Sequence, residues 1–281
     1  MREHRISVAL VTRNRPASLE RTLKSLRRQS VQPWEVVVSD DSGDEWAAQA
    51  KELARIFECR YVVGPKRGLY ANRNHAALAC QGTHVRTMDD DHEFPEAHIN
   101  RCSEALEDDP DSVWIIGECL PKETPRFPGP VPGESHPRGF SVKPTNPDDC
   151  WAFSDGATVL PSHIFARGVR YPEFFKFGAG YLEFGSRLHW LGYRLRLLPS
   201  TYVIHHFDAQ NRSFMDQQMD LGSRMFASLC HSFIYQPHAR NKLLCLAEIG
   251  RQIVMHDGWR PYRMAATAYR GHRSALLKSP A

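Results

Sequence analysis

The sequence lacks any CxxC motif, although seven cysteines are scattered along its 281 residues. An odd number of widely spaced cysteines is a poor basis for a disulfide framework. We therefore expect reduced, mostly buried thiols, as in a cytoplasmic protein. The cysteines are Cys59, Cys80, Cys102, Cys119, Cys150, Cys230 and Cys245.

Long hydrophobic runs are also missing. The apolar run near the N-terminus, "ISVALV", is too short for a signal peptide or a membrane span. No other segment reaches the roughly 18 apolar residues that a transmembrane helix needs. We therefore expect a protein without a membrane span, either cytoplasmic or peripheral at the inner face of the membrane.

The chain lacks a strong charge of either sign, and it has no internal repeat or low-complexity tract. Its net charge is +4 and its isoelectric point is about 8.7. This mildly basic balance suits a phosphate-bearing ligand and gives no reason to expect nucleic acid as a partner.

The first 110 residues or so contain an alternation of strand and helix patterns. Apolar, β-branched runs at 5–12, 34–41, 59–64 and 83–91 predict buried strands, and a helical pattern follows each of them. In the first helical segment, Leu19, Leu23 and Leu26 share one face, and Pro16 lies near its start. Such repeated β-α units predict a mostly parallel sheet covered by helices on both faces.

The pattern changes after another apolar run at 113–120. Residues 121–149 contain eight prolines, which predicts a long irregular segment that either closes over a site or is a passive excursion. A helix is then expected at 181–191, ended by Gly192, followed by a strand. From residue 214 onward the sequence is mostly helical and basic.

Three polar segments directly follow predicted strands: "RNRP" at 13–16, "SDDSGD" at 39–44 and "DDD" at 89–91. Ligands of such sheets bind beyond the carboxyl ends of the strands, so these segments are expected to converge. Asp89, Asp90 and Asp91 offer hard oxygen ligands to Mg²⁺ or Mn²⁺. An acidic cap of the next helix is the alternative.

Two further groups suit a nucleotide diphosphate. Asp40 and Asp41 lie where a carboxylate can accept hydrogen bonds from a nucleobase or a ribose. Arg67 and Arg73 lie near a predicted helix N-terminus, a place suited to anionic oxygen atoms.

Taken together, these segments resemble family 2 glycosyltransferases of the GT-A fold, enzymes that use nucleotide sugars. The resemblance spans roughly residues 5–207 and is carried by "ISVALVTRNRPASLERTLKSLRRQS", "VVVSDDSGDE", "GLYANRNHAA", "MDDDHEFP" and "EFGSRLHWLGYRL". It implies an α/β fold of GT-A type (Rossmann-like), with a mostly parallel sheet flanked by helices. Residues 1–210 are then the catalytic domain, with a donor half (1–118) and an acceptor half (119–210), and residues 211–281 are a helical C-terminal extension.

The same resemblance implies roles for individual residues. Arg73 neutralises the diphosphate, Asp40 or Asp41 holds the base, and Asp91 is the expected direct ligand of Mn²⁺ or Mg²⁺. Only one of His205 and His206 is expected to face the site, because side chains alternate along a strand. The implied nucleotide-binding residues are Thr12, Arg13, Asp40, Asp41, Arg67, Arg73, Asp89 and Asp90, and the implied metal ligands are Asp91, Asp89, His205 and His206.

The catalytic base is expected at the helix near residue 183. Similar enzymes begin this helix with an acidic pair, but here Gly180 and Tyr181 occupy those positions. Glu183 is the nearest carboxylate and the first choice, with Asp155 second. An ion pair between Glu183 and Arg187, four residues apart, is the structural alternative.

The acceptor side carries weaker signals. Trp151, Tyr181 and Trp190 are candidates to stack on an acceptor sugar, with core packing as the alternative. The basic C-terminal helices suit a membrane surface, a lipid-linked acceptor, a homodimer contact or simply a solvated face. The donor is expected to carry UDP, dTDP or GDP, and the acceptor is a glycan, a lipid-linked molecule or a small molecule.

The predicted reaction is metal-dependent transfer of a sugar to an acceptor hydroxyl, with inversion implied by the resemblance. A nucleotidyltransferase is one rival, but "VTRNRPASLE" lacks the glycine-rich loop such enzymes carry after the first strand. A nucleotide-sugar-binding protein without catalysis is the other, supported only by the missing acidic pair at 180–181.

Overall fold

The fold begins with alternating strands and helices. The computed structural model describes residues 4–121, 133–207 and 216–278. The first elements are β1 (Ile6–Thr12), α1 (Pro16–Arg27), β2 (Glu35–Asp40), α2 (Asp44–Ile56), β3 (Arg60–Val63), α3 (Leu69–Ala79) and β4 (His84–Asp89). The four predicted strands and the helices between them are therefore present.

The remaining elements complete the sheet and add C-terminal helices. They are β5 (His92–Glu93), α4 (His98–Asp108), β6 (Val113–Cys119), β7 (Glu134–His136), β8 (Phe140–Val142), β9 (Thr158–Pro161), α5 (His163–Ala166), α6 (Gly180–Trp190), β10 (Leu195–His205), α7 (Gln217–Cys230), a π-helix (His231–Tyr235), α8 (Ala239–His256) and α9 (Trp259–Lys278). The predicted helix at 181–191 is α6, shifted by one residue. Gly192 follows it with a positive φ of 89°, as a glycine after a helix C-terminus often does.

One sheet of eight strands organises the described residues, in the order β3-β2-β1-β4-β9-β6-β10-β5. Its pairings are parallel except those of β9 and of the edge strand β5. In register, Thr12 of β1 lies beside Asp40 of β2, and Val11 lies beside Asp89 of β4. The carboxyl ends of these three strands therefore lie at one edge.

Both faces of the sheet are covered, as expected for continuous apolar strands. Val8 and Leu10 pack on the face covered by α1, α2 and α4, where Leu19 of α1 is fully buried. Ala9 and Val11 pack on the opposite face, against α3 and α6. This alternation fixes the orientation of the side chains that follow each strand.

The proline-rich segment differs in part from the prediction of an irregular stretch. Residues 122–132 lie outside the described residues, but β7 and β8 form a short antiparallel hairpin that pairs Glu134 with Val142. Pro137 and Pro144 lie outside the paired positions, where a missing N–H costs nothing. The hairpin packs against α7, because the Ser228 hydroxyl donates a hydrogen bond to the Pro137 carbonyl.

The C-terminal helices pack around their own apolar cluster. Phe226 of α7, Cys245 of α8 and Ala265 of α9 lie in it, together with Phe175 from the segment before α6. Within the described ranges, no helix has both the length and the apolar composition that a bilayer crossing requires. The seven cysteines all lie within those ranges and form no disulfide, and five of them are buried.

Candidate functional site

A cleft of about 250 Å³ opens at the edge of the sheet where β1, β2 and β4 end. Its walls are formed by the residues that follow these strands, the start of α3 and the segment just before α6. The parallel pairing described above places these strand ends side by side. The polar segments that follow the three strands therefore surround one cavity.

The two neighbouring aspartates at the end of β2, Asp40 and Asp41, have different surroundings. Asp41 lines the cleft and accepts a hydrogen bond of 2.8 Å from the Lys66 backbone N–H. Burial raises its pKa, because the charged form loses hydration. Asp40 is absent from the lining and accepts hydrogen bonds from the Tyr61 hydroxyl (2.9 Å) and the Ser42 N–H (2.8 Å). Asp41 is therefore the member of the pair that a ligand can reach.

The two arginines assigned to the diphosphate are also placed differently. Arg67 is 67% exposed, pairs with Glu173 at 3.0 Å and does not line the cleft. Arg73 lines the cleft from α3, is almost fully buried and donates from Nη2 to both oxygens of Asp89, at 2.7 and 2.9 Å. Its Nε and Nη1 atoms have no hydrogen-bond partner within the described parts of the chain. Arg73 thus keeps donors for an anionic ligand, whereas Arg67 lies outside the cavity.

The three consecutive aspartates tolerate one another because each has a cationic neighbour, with Arg15 shared by Asp90 and Asp91. Asp89 is bound by Arg73, and Asp90 is fully buried between the Thr12 hydroxyl, at 2.7 Å, and the Arg15 guanidinium. Asp91 lines the cleft and accepts a hydrogen bond of 3.0 Å from Arg15 Nη1. Asp90 does not line the cleft, so the predicted contact between Asp90 and the nucleotide is not supported. Asp90 instead holds the side chains of Arg15 and Thr12 in position.

The two histidines at the end of β10 point to opposite sides, as strand alternation predicts. His205 lines the cleft, its Nδ1–H donates to Glu118 Oε2 at 3.0 Å, and its Nε2 lies 3.6 Å from Asp91 Oδ1. His206 instead donates to Glu93 Oε2 at 2.8 Å and is not part of the lining. His206 is therefore not placed as a metal ligand.

His205 and its two carboxylate neighbours form one electrostatic unit. Burial disfavours the charged imidazole, but the neighbouring carboxylates of Asp91 and Glu118 outweigh it and raise the pKa of His205 to about 10. Burial likewise disfavours the Glu118 carboxylate, yet the hydrogen bond from His205 and the nearby His92 lower its pKa to about 2. The two carboxylates are thus kept ionised around a site that attracts a cation.

A third imidazole, that of His92, completes a possible ligand set. Its Nδ1–H donates to the Gly156 carbonyl at 3.0 Å, which leaves the buried Nε2 without a partner among the described residues. One ligand atom each from Asp91, His92 and His205 lie within 4.8 Å of one another. The buried His92 Nε2, together with His205 Nε2 once a cation displaces its proton, fits a divalent cation beside the Asp91 carboxylate. These imidazole nitrogens suit Mn²⁺ better than Mg²⁺, which prefers oxygen ligands.

The carboxylates considered as catalytic base differ sharply in access. Glu183 is fully buried and receives hydrogen bonds from the Tyr235 hydroxyl (2.5 Å) and His272 Nε2, which lies 2.8 Å away. Arg187 Nε pairs with it at 3.1 Å, so the ion-pair alternative describes its surroundings. Glu183 does not line the cleft, so no acceptor hydroxyl can reach it there. The prediction that Glu183 is the catalytic base is therefore corrected.

Asp155, the second choice, lines the cleft beside Arg73. Burial raises its pKa to about 6, although the Arg73 guanidinium, 3.5 Å away, acts in the opposite direction. A carboxylate with a pKa near neutrality, facing a cavity, can accept a proton from a bound hydroxyl.

Of the three aromatic residues predicted to stack on the acceptor, only one lines the cleft. Tyr181 lines the cleft. Trp151 stacks on His189 with a centroid distance of 3.7 Å, and Trp190 packs against Tyr235 at 5.7 Å. Neither tryptophan lines the cleft. Trp151 packs against the C-terminal apolar cluster, whereas Trp190 is 44% exposed.

Sequence reasoning missed three residues at the site: Arg15, His92 and Glu118. Arg15 lies in "RNRP" together with the predicted Arg13, and both residues line the cleft. His92 directly follows the aspartate run, a position that could have been noticed. Glu118 ends an apolar strand with no other polar residue beside it, so no local pattern marked it.

Replacing Glu183 with glutamine is expected to lower the free energy of unfolding by about 3–5 kcal/mol, because Arg187 is left without its buried counter-charge. Burial disfavours the Glu183 carboxylate, but Arg187 and His272 lower its pKa overall. Its stabilisation is therefore present above the pKa of an unfolded glutamate, about 4.3, and is lost as pH falls further. Urea unfolding at neutral pH tests the loss. Glu104→Gln, at an exposed ion pair with Arg101, should change little, and equal stability of both variants would contradict the assignment.

Comparison with known proteins places the chain among related sequences and folds. A family model described as "Glycosyl transferase family 2" matches residues 7–152, about half of the chain. The chain is 26% identical over 233 residues to the "Uncharacterized glycosyltransferase YwdF" of Bacillus subtilis (strain 168), covering 78% of this chain and 80% of the relative.

Two solved structures are similar in fold at low sequence identity. The complex of S. aureus TarS 1–349 with UDP-GlcNAc has a TM-score of 0.64 at 17% identity, covering 89% of this chain and 73% of that one. The structure of GalNAc-T7 with UDP, GalNAc and Mn²⁺ has a TM-score of 0.68 at 14% identity, covering 89% of this chain and 54% of that one. These similarities confirm the predicted GT-A-type sheet with its flanking helices.

Proposed function

The chain belongs to glycosyl transferase family 2 and is a glycosyltransferase. From this premise we propose that it moves a sugar from a uridine-diphosphate donor to an acceptor hydroxyl, with the help of a divalent cation. The observation that carries the proposal is the composition of the cleft. Asp91 and His205 of the candidate cation site line the same cavity as the buried donors of Arg73, and the buried His92 lies beside them. A cation beside a guanidinium suits a diphosphate.

The nucleoside is proposed to bind where Arg13 and Asp41 line the cleft. In this proposal, Asp41 accepts a hydrogen bond from the imide N–H of a pyrimidine base. A uridine donor is favoured over GDP or dTDP because the similar TarS and GalNAc-T7 structures contain UDP-GlcNAc and UDP.

The residues present fit Mn²⁺, with Asp91, His92 and His205 as its holders. When bound, such a cation supplies positive charge that neutralises the diphosphate of the donor. The chain's own contribution is to fix these ligands. Arg15 orients Asp91, Glu118 orients His205, and the Gly156 carbonyl orients His92.

For the transfer itself, Asp155 is proposed as the general base. The acceptor hydroxyl gives its proton to the Asp155 carboxylate, and its oxygen forms a bond to the anomeric carbon of the sugar. The bond from that carbon to the diphosphate oxygen breaks, and the electron pair leaves with the diphosphate. Arg73 donates to the leaving oxygens as their charge grows. Attack and departure on opposite faces invert the anomeric centre.

A donor panel with Mn²⁺ tests the proposed activity, with release of UDP, GDP or dTDP measured in the presence of glycan and lipid-linked acceptors. UDP release from a UDP-sugar, slower or absent with the other donors, is the expected result. Binding of a UDP-sugar without any turnover, including hydrolysis, would favour a protein that binds the nucleotide sugar without catalysis.

Replacing Glu118 with glutamine is expected to weaken Mn²⁺ binding in the presence of UDP by about 10- to 100-fold. The charged partner that holds His205 in position is then replaced by a neutral amide. Glu93→Gln is a matched control, because Glu93 makes the same kind of contact with His206 outside the cleft. Calorimetric titration of Mn²⁺ measures both. If the Glu118→Gln variant bound Mn²⁺ with unchanged affinity, Glu118 would not be needed to orient His205.

A further inference from the structure

The outer face of α8 is apolar although it is exposed to solvent. Leu243 is 69% exposed, Leu246 54% and Val254 80%, and these positions recur at the spacing of one helical face. Met255, at 68%, lies beside them, and Trp259, at 58%, begins α9 just after the turn. We call these residues the α8 outer face: Leu243, Leu246, Ala247, Gly250, Val254, Met255 and Trp259.

The inner face of the same helix is apolar too. Cys245 and Ile249 are buried in the cluster formed with α7 and α9. A helix that is apolar on both sides is normally covered on both sides. Among the described residues nothing covers the α8 outer face, so it has the character of a docking surface.

The charge of α8 and α9, the two helices that carry this face, is one-sided. Residues 239–278 contain eight lysines and arginines but only two acidic residues, an excess of six against four for the whole chain. The acidic residues are Glu248, which is paired with Arg251 at 2.6 Å, and Asp257 in the turn before α9. The helix α9 contains no acidic residue, and Arg260 and Arg263 follow Trp259 within its first turns.

This charge distinguishes between the possible occupants. A second copy of the chain, related by a two-fold axis, would place the same face against itself and bring Arg240, Arg251 and Arg260 towards their own counterparts. Such a contact is apolar at its centre but repulsive at its rim. An anionic phospholipid bilayer matches both the apolar α8 outer face and the excess of basic residues, because it has an apolar interior beneath anionic headgroups.

We propose that the α8 outer face docks the protein on the surface of an anionic phospholipid bilayer. The helix, 18 residues long and therefore about 27 Å, lies in the plane of the headgroups. Leu243, Leu246 and Val254 enter the acyl boundary, Trp259 lies at the headgroup level, and the flanking arginines contact lipid phosphates. The proposal goes beyond the transfer reaction and does not depend on it.

Co-sedimentation of the full chain with vesicles tests the proposal. We expect binding to vesicles of roughly one part phosphatidylglycerol to two parts phosphatidylcholine, and much weaker binding to pure phosphatidylcholine. Two double variants, Leu243→Gln with Val254→Gln and Arg260→Gln with Arg263→Gln, should each lower the partition coefficient about tenfold or more. All four side chains project from exposed positions, so folding should be retained.

Matched controls test whether vesicle binding depends on the α8 outer face and its arginines or on exposed apolar and basic residues in general. Val63→Gln, at a 65% exposed apolar residue on β3, and Lys51→Gln with Arg55→Gln, on exposed positions of α2, should leave vesicle binding unchanged. Absence of wild-type binding to the anionic vesicles overturns the proposal. So does a concentration-dependent dimer in analytical ultracentrifugation that the Leu243 and Val254 variant abolishes, since a second copy is then the occupant.

Discussion

Replacing Asp91 with asparagine is expected to abolish sugar transfer, lowering kcat/KM by about 10³-fold or more. Asp91 is the one carboxylate of the consecutive aspartates that both lines the cleft and faces His205. An amide oxygen carries no net charge, so the cation that neutralises the donor diphosphate is held weakly. Mn²⁺ titration should show the loss directly, independently of any assay of turnover.

The fold of this variant should survive, because asparagine can still accept the hydrogen bond from Arg15. Thermal unfolding of the variant and the wild type checks this point. Glu93→Gln, two residues further along the chain and outside the cleft, is the matched control and should keep full activity. Full activity in Asp91→Asn would refute the role of Asp91 in holding the cation.

Replacing Asp155 with asparagine is expected to lower kcat by about 10²- to 10⁴-fold while donor binding stays nearly unchanged. Asp155 lines the cleft beside Arg73, so it can reach an acceptor but is not needed to hold the nucleotide. Its pKa of about 6, raised by burial, sets the pH dependence. The base acts only when ionised, so the wild-type rate should rise with pH and level off above about 6.

The comparison with Glu183→Gln decides between the carboxylates considered as base. At temperatures where that variant is folded, it should turn over at nearly the wild-type rate, because Glu183 lies outside the cleft. The Asp155→Asn variant should also lose the rise of rate with pH near 6. A normal rate in Asp155→Asn, or a large loss in folded Glu183→Gln, would reverse the assignment.

The sheet could be predicted from the sequence because the patterns that indicate its strands and helices are local. The apolar runs and the face formed by Leu19, Leu23 and Leu26 depend on spacing within a few residues. Since parallel strands share one carboxyl edge, the polar segments after them could also be expected to meet. The hairpin at 134–142 was not foreseen, because its stability depends on packing against α7 far along the chain.

Roles that depend on distant partners could not be predicted. Glu183 has a local partner in Arg187, but its burial is completed by Tyr235 and His272, which come 52 and 89 residues later. Glu118 becomes part of the site only through contact with His205, 87 residues away. Strand alternation predicted that one of the two adjacent histidines faces the site, but only the fold identified it as His205.

Calorimetric titration of UDP into the protein, with and without Mn²⁺, tests the central claim most directly. The claim is that the cleft binds a nucleoside diphosphate together with a cation held by Asp91 and His205. The account predicts UDP binding that is at least about tenfold tighter with Mn²⁺ than without it, and loss of this difference in Asp91→Asn. UDP affinity that is the same with and without Mn²⁺, or no binding under either condition, would contradict it.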